Sequence, residues 1–228
     1  MNLKLKSNLS RVFQELSEIS DILKEDLLNI SDKTSKKSKK LNKWLDMLNN
    51  FLLKHENIQL NLKTSLEKKF SIKFKNSDLI TLALFRPSTK NIFTELSMYF
   101  QEEHPNFLNI ERLEYMSNLG DIAEGLALLG DSALALAVTH SLWKEGITDK
   151  GTITTEKAQM VQNLNLAKYC DDLDLYHNRI HMELNVNETK LETINHIKAT
   201  LVEAIIGIIY LEKGVQGVIN FLKKIKEK

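Results

Sequence analysis

AEGLALLGDSALALAVTHSLW, residues 123–143, is a run of leucines, alanines and a valine broken in its middle by one Gly-Asp pair, Gly130 and Asp131. Further on, KATLVEAIIGIIYLEKGVQGVINFL, residues 198–222, sets Glu203 among apolar neighbours. A lone carboxylate in an apolar helix is costly unless it is paired or bound to metal, which makes Glu203 the most informative residue in the chain. Asp131 has a plainer reading as a capping or kink residue, since Asp beside Gly often serves so. Gly207, four residues past Glu203 on the same face, reads as a point of close helix packing.

Outward from these two stretches the apolar period stays near 3.6 from residue 62 onward, in pieces 62–71, 76–86, 91–101, 107–118, 121–145, 154–170, 188–213 and 214–226. GTITT (151–155) reads as a loop leading into a helix. Upstream, Leu9, Val12, Phe13, Leu16, Ile19, Ile22, Leu23, Leu27 and Ile30 recur at three- and four-residue steps, one face of an amphipathic helix over 9–30. SDKTSKKSKK (31–40) reads as a lysine-rich connector, and Trp44, Leu45, Leu48, Phe51 and Leu52 mark a second helix over 41–53. Every glycine lies at or after Gly120, so the first half is nearly free of chain breakers. The fold class is all-α, with a helical extension over 1–60 and a domain over 61–228.

Composition bounds the function loosely. Net charge is +1, which argues neither for nor against nucleic acid, because a local patch is enough. The single cysteine, Cys170, excludes an internal disulfide and a multi-cysteine zinc site. No apolar run is expected to reach the roughly 20 residues of a membrane span. The first residues, MNLKLKSNLSRVF, lack the apolar block of a secretory signal, so a cytoplasmic protein with no membrane partner is the expectation.

Three stretches in order carry a family likeness. LEKKFSIKFKNSDLITLALFRPS (66–88), AEGLALLGDSALALAVTHSLW with the following GTITTEKAQMVQNLNLAKYCDDLDL (151–175), and KATLVEAIIGIIYLEKGVQGVINFL resemble the endonuclease domain of the ribonuclease III family over residues 66–222. The resemblance implies that family's helical fold, a homodimer paired through the signature helix, and double-stranded or structured RNA as substrate, read by shape and backbone. Leu126, Leu129 and Ala133 are the residues expected at that two-fold interface. The resemblance also implies a short form without the double-stranded-RNA-binding domain that often follows. Phe85 stands where the family has histidine, Pro87 intrudes, and residues 89–122 have no counterpart of that length.

The family holds Mg²⁺ or Mn²⁺ with two acids four residues apart on one helix and two acids three apart on another. Such spacings put both members of a pair on one helical face. A hard divalent cation wants those oxygens, activates water and stabilises the leaving oxygen. By position this chain keeps Asp131 and Glu203 as catalytic and metal-binding candidates, and has Ala127 and Thr200 where the other two acids belong. Glu124 and His196 stand seven residues from Asp131 and Glu203 respectively, as supporting candidates. A second register, NIERLEYMSNLGD (109–121), offers Glu114 and Asp121, but the downstream match fits Asp131. Within the basic cluster Lys33–Lys43, Lys36, Lys37, Lys39 and Lys40 are candidates for RNA phosphates; a solvated linker is the alternative. Two functions follow: a metal-dependent endoribonuclease with a depleted acidic site, or a catalytically impaired relative that binds RNA or a ribonucleoprotein partner.

Overall fold

The computed structural model describes residues 3–106, 110–182 and 190–226. Among them the structure is helical, and the one strand-like feature is an isolated parallel bridge between Phe85 and Ile180. The helices are α1 (Leu3–Asn29), α2 (Lys36–Asn57), α3 (Lys63–Phe70), α4 (Asp78–Ala83), α5 (Lys90–Glu103), α6 (Ile110–Ser117), α7 (Leu119–Lys144), α8 (Lys150–Met160), α9 (Asn163–Asp172), α10 (Leu175–Asn178) and α11 (Leu191–Lys226). The expected helix starts at 107–109 and 188–189 lie outside the described residues.

Two local expectations are corrected by caps. Lys36–Lys40 belong to α2 rather than to the connector, because Ser35 caps the helix by accepting from the Ser38 N–H at 3.1 Å and lysine is a good helix former. GTITT is helical within α8, because the Asp149 carboxylate accepts from the N–H groups of Gly151 (2.9 Å) and Thr152 (3.1 Å). The break expected between 213 and 214 is real: Gly214, at φ 64° and ψ −167°, interrupts the helical path inside α11.

α2 continues through a π turn at Ile58–Leu62 into α3 without leaving helical geometry, and a boundary between residues 60 and 61 falls inside that turn. Leu9, Val12, Leu16, Ile19 and Leu23 of α1 and Leu41, Trp44, Leu48 and Phe51 of α2 are buried in the same core cluster as the downstream helices. Phe85 sits at the joint, 6.3 Å from the Phe13 ring and 6.2 Å from that of Phe51, while Phe13 stacks on His55 at 3.5 Å. Polar clasps reinforce it. The Arg112 guanidinium donates to both oxygens of Glu15 (Nε–Oε1 2.9 Å, Nη2–Oε2 2.9 Å), and Tyr99 Oη and His104 Nε2 both lie 2.7 Å from Asp26 Oδ2.

At the centre, α11 buries Leu201, Val202, Ala204, Ile205, Ile206, Ile208 and Ile209 against α7, α9 and α4. Leu126, Ala127, Gly130, Ala133, Leu134 and Ala137 of α7 are buried too. Leu126 and Ala133, which the sequence suggests for a two-fold interface, therefore belong to the protein's own core, and Leu129 is half-buried. The exposed large apolar residues of α7 are Leu128, Leu136 and Trp143.

One absence expected from the sequence is corrected. Residues Leu119–Lys144 and Leu191–Ile225 are long and apolar enough to cross a membrane by length and composition, with mean hydropathy 1.5 and 1.4 over their most apolar stretches. The most apolar stretch of each helix carries at most 2 acidic or basic side chains. About half of each stretch, 44% and 56%, is buried inside the fold, and core helices meet the same test.

Candidate active site

The site grows from a backbone contact. α7 and α11 cross so closely that a methyl group on Gly130 would stand 1.8 Å from the Glu203 carbonyl oxygen, and one on Gly207 2.3 Å from that of Leu126. Only hydrogen fits at either place. The crossing sets Asp131, next to Gly130, beside the half-buried Glu203. Burial pushes the Glu203 carboxyl up to about 7, and the negative charges of Asp131 and then Glu124 add to it. Three carboxylates from two helices thus act on one another, although Asp131 itself is exposed.

Glu124 has its own partner. Arg86 Nη2 lies 2.9 Å from Glu124 Oε1, and the Arg86 side chain is only 14% exposed. The arginine is held from its backbone: its N–H donates to the Ile180 carbonyl at 2.9 Å, and its carbonyl accepts from the Thr89 hydroxyl at 2.9 Å. The sequence offers a signal for Arg86, the arginine retained in ALFRPS, but nothing ties it to Glu124.

Ala127 is buried at the crossing and offers no donor atom. Thr200 is also buried, and its hydroxyl donates to the His196 carbonyl at 2.9 Å, within its own helix. The His196 side chain is exposed. Glu114 is exposed on α6, and Asp121 faces Lys90 at 3.5 Å. Of the basic candidates, Lys37 pairs with Glu103 at 2.5 Å and Lys40 with Glu95 at 3.6 Å, and Lys40 Nζ also lies 4.7 Å from the Trp44 ring centre. These two fasten α2 to α5. Lys36 and Lys39 are exposed and have no such partner among the described residues.

Among the described residues no group of three or more His, Cys, Asp or Glu side chains converges in metal-holding geometry. Asp131 and Glu203 are two hard oxygen donors on facing helices, and the crowding of negative charge on Glu203 is what a cation relieves. The donor set fits one divalent ion whose shell waters complete, and does not fit a pair.

Residues 124–214 match the family model for the ribonuclease III domain. Ribonuclease 3 of Clostridium acetobutylicum is 30% identical over 165 residues, 71% of this chain and 60% of that protein. The Bacillus cereus protein is 26% identical over 161 residues, 70% and 62% of the two chains. The Chlorobaculum tepidum protein is 31% identical over 98 residues, 42% and 36%. The match thus spans between about a third and three-fifths of these relatives' lengths. Two structures of the nuclease domain of ribonuclease III from Campylobacter jejuni align over 72% of this chain and 95% and 93% of theirs, at 24% and 23% identity and TM-scores of 0.48 and 0.46. Glu124, Asp131 and Glu203 all fall inside the matched family segment, and across residues 124–214 the chain carries a ribonuclease III domain.

Proposed function

We propose that this chain is a divergent endoribonuclease that cleaves double-stranded or structured RNA, with Asp131 and Glu203 holding one Mg²⁺ or Mn²⁺ ion and two copies pairing along α7. The observation that carries this reading is Glu203 itself: a half-buried carboxyl crowded by Asp131 and Glu124, on a helix whose other residues around it are core. Such a group weakens the fold unless something positive meets it. A bound divalent ion supplies polarisation of the phosphoryl oxygen and an acidified water. Asp131, being exposed, is the carboxylate that meets ion and substrate first. Arg86 neutralises Glu124 and keeps a guanidinium at the edge of the acid group, where a phosphate approaches.

The buried Ala127 and Thr200 favour the second reading, a catalytically impaired relative that binds RNA or a ribonucleoprotein partner. Duplex cleavage by the wild type, Glu203→Gln and Ala127→Glu/Thr200→Asp separates the two. The endonuclease reading expects cleavage in Mn²⁺ above that in Mg²⁺, since Mn²⁺ binds more tightly to a depleted ligand set. It expects Glu203→Gln to lose activity by about 100-fold or more, equivalent to ~2.7 kcal/mol. A silent wild type beside an active double variant establishes the binding relative. Circular dichroism of the double variant is needed alongside, because both new acids enter buried positions.

A further inference from the structure

A cleft runs from the N-terminal extension to the acid group. Its outer part, a groove of about 700 Å³, is floored by one face of α2, on which Lys39, Asn42, Lys43, Asp46, Met47 and Asn50 recur at helical spacing. His181 and Met182 form the opposite wall. The same two residues line an inner pocket of about 290 Å³, together with Arg86, Ser88, Tyr176 and Arg179. The two spaces are thus neighbours that share these two side chains, and Arg86, which lines the inner one, touches Glu124.

The charges along this cleft are unbalanced. The side chains of Lys39 and Lys43 have no ion pair or hydrogen bond among the described residues. Arg86 is matched by Glu124, but Arg179 has no acidic partner among the described residues. Its guanidinium lies 3.7 Å from the Tyr176 ring centre and donates to the Tyr176 carbonyl at 2.6 Å. Burial first, and Arg86 among its neighbours, disfavour the charge on Arg179. Two guanidiniums therefore line the inner pocket with no carboxylate in its wall, and among the described residues Asp46 is the only acid that lines either space. Concave, cation-rich sites of this kind recruit phosphate. Stacking on Tyr176 also fixes the plane of the Arg179 fork.

We propose that this cleft binds a single-stranded RNA segment, with phosphates at Lys39 and Lys43 on α2 and at Arg86 and Arg179 further in. This deepens the RNA reading of the acid group and rests on it. It gives the extension a role in leading a strand flanking the cleaved region toward Glu124.

The test is fluorescence anisotropy of a labelled single-stranded RNA oligomer with the full chain in EDTA, titrated across salt. Lys39→Gln/Lys43→Gln removes two exposed charges that hold nothing else together. It is expected to weaken binding about ten-fold at low salt and to flatten the logarithmic salt slope by roughly 1.4, about 0.7 for each phosphate no longer neutralised. Arg179→Lys, which keeps the charge and loses the fork, is expected to weaken binding without changing the slope. Equal affinity and slope for wild type and the double lysine variant overturn the proposal, as does a polyglutamate peptide binding where RNA does not. Because binding is read without metal, it decides the cleft whatever the cleavage assay shows of Asp131 and Glu203.

Discussion

The Glu203 carboxyl titrates near its ordinary 4.5 in the unfolded chain and near 7 in the fold, where burial and the charges of Asp131 and Glu124 oppose its ionisation. Between those values the native state holds more protons than the unfolded one, so stability falls as pH rises through this window and levels off above it. Glu203→Gln removes the penalty. At pH 8 it should stabilise the fold by about 3 kcal/mol at most, and by about 1–2 for a group that keeps some solvent, seen as a higher melting temperature. The gain should vanish near pH 4.5. Thermal melts at both values check this, and an advantage that persists at the acid end rules out titration as its cause. The residue is legible in the sequence because an ionised group among leucines, isoleucines and alanines has few bland explanations. Arg86 and Glu124, by contrast, are not legible as a pair. Nothing local links them; the backbone bridge from Phe85 to Ile180 and the close approach of α7 bring them together.

At the scale of elements, period and composition locate the helices well but cannot orient α7. A helix apolar on nearly all sides carries no stripe to say which face is inner, so the pattern turns Leu126 and Ala133 outward although they are core. The crossing of α7 and α11 supplies what the pattern lacks. Gly207 is legible as a packing glycine, whereas Gly130 reads only as the neighbour of Asp131. Both are required by backbone contact, and the obstacle each would meet is a main-chain carbonyl that no rotamer change can clear. Gly130→Ala should cost about 3 kcal/mol or more, beyond ordinary overpacking because the helices themselves must part. Gly125→Ala on the same helix meets nothing within 4 Å, and should be neutral or stabilising by about 0.5–1 kcal/mol. Chemical denaturation of the two variants measures the contrast; similar stabilities would mean the helices do not cross as described.

For the whole molecule, the attachment of the extension is invisible to any local pattern, because its partner residues come from α4, α5 and α6. Phe85 explains part of it: where the resembled family has histidine, this chain has an apolar ring that α1 and α2 cover with Phe13 and Phe51. Nine buried apolar side chains of α1 and α2 stand in the common core. At roughly 1.5–3 kcal/mol each, their removal matches or exceeds an ordinary domain's stability. A chain starting at residue 61 should therefore be insoluble or molten, judged by near-ultraviolet circular dichroism. A well-folded truncation would make the extension an appendage. What the extension leaves uncovered is the outer face of α7. Leu128, Leu136 and Trp143 are 71%, 53% and 60% exposed, and their spacing of eight and seven residues stacks them along one side of the helix. Monomers rarely leave such a stripe to water. Its symmetric use is a two-fold pairing of α7 with the α7 of a second copy, each residue meeting the same surface from the other side. Light scattering at micromolar concentration should then give twice the 26.2 kDa chain mass. Leu136→Glu sets two like charges near one axis, and should yield monomers whose far-ultraviolet spectrum is unchanged, since the residue stands outside the core. A monomeric wild type removes the two-fold pairing, and a dimeric Leu136→Glu moves it to another face.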